Sequence, residues 1–181
     1  PLIKYFGKFN LEIFDVKNNK IKGGSIKFFF RLKKNKKVNL SKYLRYEKKL
    51  KLHSKDIFKK IISTNKKNII KINLFISKFK KEKIAGFGAS CGSTVFIHYY
   101  QIKDKIDIFL DDEKRRNNLF SPSTNIKVYN PNIKVLNKIK IVLIISWRYK
   151  NIIVKNFKKK FPKIFKRQKW YFLLPDIKKI N

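Results

Sequence analysis

The chain has 181 residues, with 47 lysines and arginines against 11 aspartates and glutamates, for a formal net charge of +36. That length suits one domain, or one domain with part of another, and 43% hydrophobic residues supply enough apolar surface for a packed core. A single cysteine, Cys91, excludes an internal disulfide framework and a zinc site built on several thiolates, and no apolar run is long enough for a spanning helix.

Residues 1–32 carry strand signals. Leu11-Glu12-Ile13-Phe14-Asp15-Val16 is a short extended run, Lys17-Asn18-Asn19-Lys20 a polar turn, and residues 26–32, with Phe28-Phe29-Phe30, a second apolar strand. The two are expected to pair as a hairpin, with Gly23-Gly24-Ser25 as a bulge or close-approach site at the mouth of the second strand. Lys33-Lys34-Asn35-Lys36-Lys37 is a solvated linker. From residue 39 to 83 the period becomes helical. Leu40, Tyr43, Leu44 and Glu47 open one helix, and Ile57, Phe58, Ile61 and Ile62 mark another. Ile69, Ile72, Phe75, Ile76 and Phe79 then follow at spacings of three and four, a core-facing stripe. His53 falls in the polar stretch between helices.

The pattern changes again at Lys83. Ile84-Ala85-Gly86-Phe87-Gly88 is a strand ending in glycines, and Ala89-Ser90-Cys91-Gly92-Ser93-Thr94 leads into a helix that carries His98 among aromatics. Residues 106–110 form a strand closed by Asp111-Asp112, and residues 126–129 a short strand ended by Asn130-Pro131. Residues 139–146 form a buried strand, residues 149–161 a basic helix, and residues 170–174 a last strand. Strands alternating with helices predict an α/β fold, a Rossmann-like and largely parallel sheet preceded by a helical segment and an N-terminal β-hairpin. The expected division is 1–37, 38–82 and 83–181.

A strand that ends in Gly86-Phe87-Gly88 before a helix has a chemical reading. The glycines permit a tight turn and close approach of backbone to a ligand, and the helix start offers unpaired N–H groups to phosphate. Ser90, Ser93 and Thr94 add hydroxyls. Asp111 closes the next strand 23 residues beyond Gly88, close to the roughly 20 expected of a ribose-binding acid. Gly92 comes one place later than the dinucleotide fingerprint requires, so packing of strand against helix is the competing explanation of the glycines. Cys91, at the helix start but without a neighbouring base in sequence, is not read as a nucleophile.

The charge admits two explanations. Lysines run along the whole chain with many Ile, Asn and Phe and no Met, as in a coding sequence drifting toward A and T; a selected polyanion-binding surface is the alternative. Two functions compete on these residues alone: a dinucleotide-binding oxidoreductase module built on Gly86, Gly88 and Asp111, and a basic module binding nucleic acid non-specifically.

The motifs taken together resemble a family, the sugar C-methyltransferases. Residues 83–94 are similar to the "GYGA-x-A-x-x-x-T" turn of that family's C-terminal domain. Residues 110–128 resemble, without a gap, its "VD-x-x-P-x-KQG-x-x-x-PGTHIPI" segment, with Asp111, Arg116, Pro122, Thr124 and Ile126 matching or substituting conservatively. Residues 142–147 resemble "VLILAWN", followed by Arg148 where Asn is usual. Residues 11–16 with 23–27 look like "GLEVFDVE…HGGSLR", the last strands of the preceding S-adenosylmethionine-binding domain.

The resemblance implies an S-adenosylmethionine-dependent enzyme that methylates a carbon of a nucleotide-linked deoxyketosugar. This portion would contribute to sugar-nucleotide binding and to closure of the cleft. Gly23, Gly24, Ser25, Gly86, Gly88, Ala89, Ser90, Ser93, Thr94 and Asp111 are then the expected substrate contacts, with Lys114, Arg115 and Arg116 offering charge to the diphosphate. The family's zinc cluster, cofactor loop and Glu-His stretch would precede Pro1. The chain is accordingly expected to be a fragment that does not transfer methyl groups alone, working with an upstream methyltransferase domain that holds the cofactor. No catalytic residue is identified. Lys22 replaces the His before Gly-Gly-Ser, Ser123 the Gly and Asn125 the His of "PGTH". A cytoplasmic location is expected, since nothing at the start reads as a signal peptide.

Overall fold

A computed structural model of the chain describes residues 1–20, 24–34, 40–52 and 54–181. Their internal contacts divide the chain into two compact units, Pro1–Ile62 and Ser63–Asn181. Lys22, Gly23 and His53 lie outside the described residues.

In the first unit, β1 (Leu11–Asn19) and β2 (Ser25–Leu32) form the expected antiparallel hairpin, with Leu11 opposite Leu32 and Asn19 opposite Ser25. Two local expectations are corrected. Lys17, Asn18 and Asn19 continue β1 instead of turning, because each has a cross-strand partner in Lys27, Ile26 and Ser25. The irregularity sits in β1, between Ile13 and Asp15, and not in the described glycine-side residues, Gly24 and Ser25. Its cause is the apolar pattern. Ile13 and Val16 are three apart and would face opposite ways in a regular strand; one extra residue, Phe14, lets both be buried.

A helix that the strand reading did not foresee, α1 (Leu2–Gly7), packs Phe6 on Phe30 with ring centroids 4.2 Å apart. The helix α2 (Ser41–Lys49) is tied to the hairpin by the Tyr43 hydroxyl, which donates to the Val16 carbonyl at 2.7 Å. The two helices expected next are one, α3 (Lys55–Ser77), since neither Gly nor Pro interrupts it. Ile72 and Ile76 are buried, as the stripe predicts, whereas Phe58, Ile61 and Ile62 are exposed.

The second unit holds a six-stranded sheet. Its strands are β3 (Ile84–Phe87), β4 (Ile108–Leu110), β5 (Val128–Tyr129), β6 (Ile141–Ile144), β7 (Lys169–Phe172) and β8 (Lys178–Lys179). They lie in the order β5-β4-β3-β6-β7-β8; the first five are parallel and β8 is antiparallel to β7. This is a Rossmann-like α/β fold. The connecting helices are α4 (Cys91–Tyr99), α5 (Ile133–Leu136), α6 (Lys150–Lys160) and α7 (Pro162–Arg167).

Alternate residues feed two cores. Ile84, Phe109, Ile141 and Leu143 pack with Ile72, Ile76, Phe96 and Ile97 on one face. Ala85, Phe87, Val142, Ile144 and Trp170 pack with Ile153, Phe157, Ile164 and Phe165 on the other. Burial on both faces is why these strands read as continuous apolar runs. Trp170 is fully buried, its ring 4.5 Å from that of Phe157, and its indole N–H donates to Gln168 Oε1 at 3.2 Å. Gln168 is satisfied in turn by the Leu136 and Ile139 carbonyls.

Candidate functional site

The chain runs outward from β3 to β4 and β5, then returns to place β6 on the other side of β3. The strand order therefore reverses between β3 and β6, and in open α/β sheets ligands bind beside the carboxyl ends of the strands at such a point. The residues the sequence singled out that are found there are Gly86, Gly88, Ala89 and the start of α4 from β3, and Asp111 from the end of β4; Ser146, just beyond β6, joins them.

Both glycines have a physical reason. A Cβ on Gly86 would come 3.0 Å from Phe109 Cε1 and 3.2 Å from Ile145 Cγ1, so the residue lets β4 and the end of β6 close on β3. Gly88 has φ +98°, a left-handed conformation, and a Cβ there would collide with the Ser146 hydroxyl. The close approach that Gly88 permits is thus made by Ser146. The turn is pinned by backbone bonds: Gly88 N–H donates to Leu110 at 2.7 Å, and Ile145 and Ser146 N–H donate to Phe87 at 3.1 and 3.2 Å.

Asp111, 7% exposed, holds this turn together. Its Oδ2 accepts from Ala89 N–H at 2.6 Å and from Arg116 Nη1 at 2.9 Å, and its Oδ1 accepts from Glu113 N–H at 2.8 Å. Its own carbonyl receives the Asn130 side-chain amide at 2.7 Å, fixing the end of β5 to the end of β4. Asp112, beside it, is held above the usual carboxylate range by desolvation and then by the Asp111 charge, with Lys160 pulling the other way.

Ser90 caps α4, its Oγ accepting from Ser93 N–H at 3.3 Å. From there hydroxyls run inward: Ser90 Oγ to Ser93 Oγ at 3.1 Å, and Ser93 Oγ to Ser146 Oγ at 3.2 Å. Thr94 Oγ1 meets Ser121 Oγ at 3.3 Å. Cys91 and Gly92, the first two helical residues, are exposed, so the start of α4 is open to solvent. Arg116 is half exposed and spends one guanidinium nitrogen on Asp111. Lys114 and Arg115 stand exposed on the same helical turn. Gly24 and Ser25, at the start of β2, belong to the first unit.

Sequence reasoning missed Ser121, Asn130 and Ser146. Ser146 had a signal: a small polar residue ending the apolar run that neighbours the glycine strand. Asn130 and Ser121 had none, because their partners depend on how residues 118–128 fold. That segment doubles back, with Val128 N–H on Leu119 and Ser121 N–H on Ile126 at 2.8 and 2.9 Å. Left-handed backbone occurs at Asn118, Ser123 and Asn125, with φ of 63°, 58° and 56°. The first two carry glycine in the pattern the segment resembles and the third carries His, so the ungapped register places both of the pattern's glycines on left-handed backbone.

Residues 20–175 match the family model of the C-methyltransferase C-terminal domain. No curated protein sequence matches the chain. Among solved structures, UDP-D-quinovosamine 4-dehydrogenase from Vibrio fischeri is similar over 55% of this chain and 93% of that one, at 17% identity and a TM-score of 0.38.

Proposed function

Since the chain belongs to the C-methyltransferase C-terminal domain family, we propose that it serves methyl transfer to a carbon of a nucleotide-linked deoxyketosugar, and that the corner between β3 and β6 receives the sugar nucleotide. The observation that carries this reading is the exposed, Ser90-capped start of α4 set at the reversal of strand order, with Arg116 fixed one residue away through Asp111 and Ala89.

Carbon methylation needs a carbon nucleophile, made by removing a proton next to a carbonyl, and a methyl acceptor held in line with its donor. What this chain's residues supply is binding and alignment. The Cys91 and Gly92 amides and the positive end of α4 favour phosphate oxygens. Arg116, with nitrogens to spare, pairs with a second phosphate, while Lys114 and Arg115 add a more distant attraction screened by salt. Ser90 and Thr94 offer hydroxyls to the same group. Asp111 is assigned a positioning role, because its carboxylate oxygens are engaged by Ala89, Glu113 and Arg116.

S-adenosylmethionine would supply an electrophilic sulfonium methyl. The glycine turn does not fit it: Ser146 occupies the space against Gly88, and the Asp111 oxygens are engaged by Ala89, Glu113 and Arg116. The same engagement disfavours a dinucleotide, whose ribose needs a free acid. The methyl donor is therefore assigned to an upstream methyltransferase domain, in the same polypeptide or another.

Calorimetric titration with dTDP- and UDP-linked sugars tests the reading. Arg116→Ala and Ser90→Ala are each expected to weaken binding by about tenfold, the worth of one charge-assisted contact. Unchanged affinity in both variants would overturn it.

A further inference from the structure

The second face of the sheet is unevenly covered. Over β6 and β7 it is sealed by α6 and α7, but the crossover from β5 to β6, which brings Leu136 onto this face, contains only α5, four residues and about 6 Å of helix. The result is a cleft of about 420 Å³ beside β4 and β5, whose lining shares no residue with the glycine turn. That volume is typical of small-ligand pockets.

The lining has two parts. Ile108, Tyr129 and Val135, all half-buried, form an apolar floor with buried Ile139. Lys83, Lys134 and Lys138 stand on the rim, exposed, and none has a carboxylate partner among the described residues. No acidic residue lines the cleft. The clefts differ in this respect: one of about 450 Å³ is lined by Glu82, Asp104 and Asp107 beside Lys80 and Lys105, while one of about 550 Å³ carries Lys160, Lys163 and Arg167 and, like the first, no acid. Asn118 lines the first cleft too and brings a side-chain amide, both donor and acceptor.

We propose that the cleft between α5 and strands β4 and β5 is a second ligand site, for a nucleoside phosphate. The half-buried ring of Tyr129, with Lys127 Nζ 5.4 Å from its centroid, suits a flat base; the Asn118 amide suits a base edge; three ammonium groups without a carboxylate partner among the described residues suit the phosphate as point charges. The site is independent of the reading given to the glycine turn, and it can stand or fall alone.

Titrating the full chain with AMP, adenosine and inorganic phosphate tests it. Wild type binds AMP more tightly than either part. The double variant Lys134→Glu/Lys138→Glu lowers AMP affinity by at least about tenfold, while Lys158→Glu/Lys159→Glu on α6, with the same change of charge, leaves it unchanged. Equal losses in the two double variants would reduce the binding to diffuse charge and overturn the proposal, as would failure of wild type to bind AMP. Loss on Arg116→Ala with no effect of the Lys134/Lys138 pair would place AMP at the glycine turn, removing this site while leaving the other reading intact.

Discussion

Gly88 and Ser123 occupy the same left-handed backbone region, at φ +98° and 58°, with opposite consequences for substitution. At Gly88 a side chain meets both backbone strain and Ser146. Gly88→Ala is expected to destabilise the protein by about 2–4 kcal/mol in urea unfolding, with Ser146→Gly recovering the steric part only. At Ser123 the strain is already present. A β-branched residue deepens it, so Ser123→Val is expected to cost about 1–2 kcal/mol, whereas Ser123→Gly leaves stability equal or slightly higher. Asp111→Asn weakens three contacts at once and should lose about 1–3 kcal/mol; an unchanged unfolding midpoint would remove its role as the clasp of the turn. At this scale the sequence was legible where a residue type carries its own geometry. Gly86 and Gly88 could be placed from spacing alone; the Ser90 cap could not, because residues 89–94 read as the approach to a helix that in fact starts at Cys91. The use of Asp111 could not, because the spacing that fits a ribose-binding acid fits equally a carboxylate that accepts from Ala89 and Arg116.

The elements differ in how much holds them. The hairpin β1–β2 has two strands, and Ile13 and Val16 are the buried side chains described in its unit, whereas β3, β6 and β7 are covered on both faces. Two-stranded sheets are marginal. Amides of β1 and β2 are therefore expected to exchange with deuterium well before those of β3 and β6, and equal protection would contradict the division into units of unequal stability. The hairpin also carries a pH-dependent contribution. Glu12 lies below the usual carboxylate range because the Arg31 guanidinium bonds it, at 2.7 Å. A depressed folded value stabilises the folded form above the unfolded value, so this contribution is complete at neutral pH and is lost as pH falls below about 4. Glu12→Gln should flatten that dependence in hairpin NMR shifts. The strands up to β7 were readable because their apolar runs are regular, whereas the long helix α3 reads as two and β8, Lys178–Lys179, has no apolar run to find. The helices α1, α5 and α7 were not readable, being a turn or two long with no period to detect, and the bulge at Phe14 emerges only once Ile13 and Val16 must share a face.

For the whole molecule, the alternation of strands and helices after residue 83 was sufficient to predict the sheet, and the order of its strands locates the corner where the candidate site lies. The net charge of +36 carried far less information, since lysine fills exposed positions throughout both units. Specific recognition should therefore depend on particular cations and survive salt that abolishes diffuse attraction. The most direct test is amide NMR mapping during titration with a dTDP- or UDP-linked sugar at moderate salt. The account predicts the largest shifts at Cys91, Gly92 and Arg116, saturating together. Shifts spread over lysine-rich surfaces without saturation, or saturating shifts that leave the start of α4 unmoved, would contradict it.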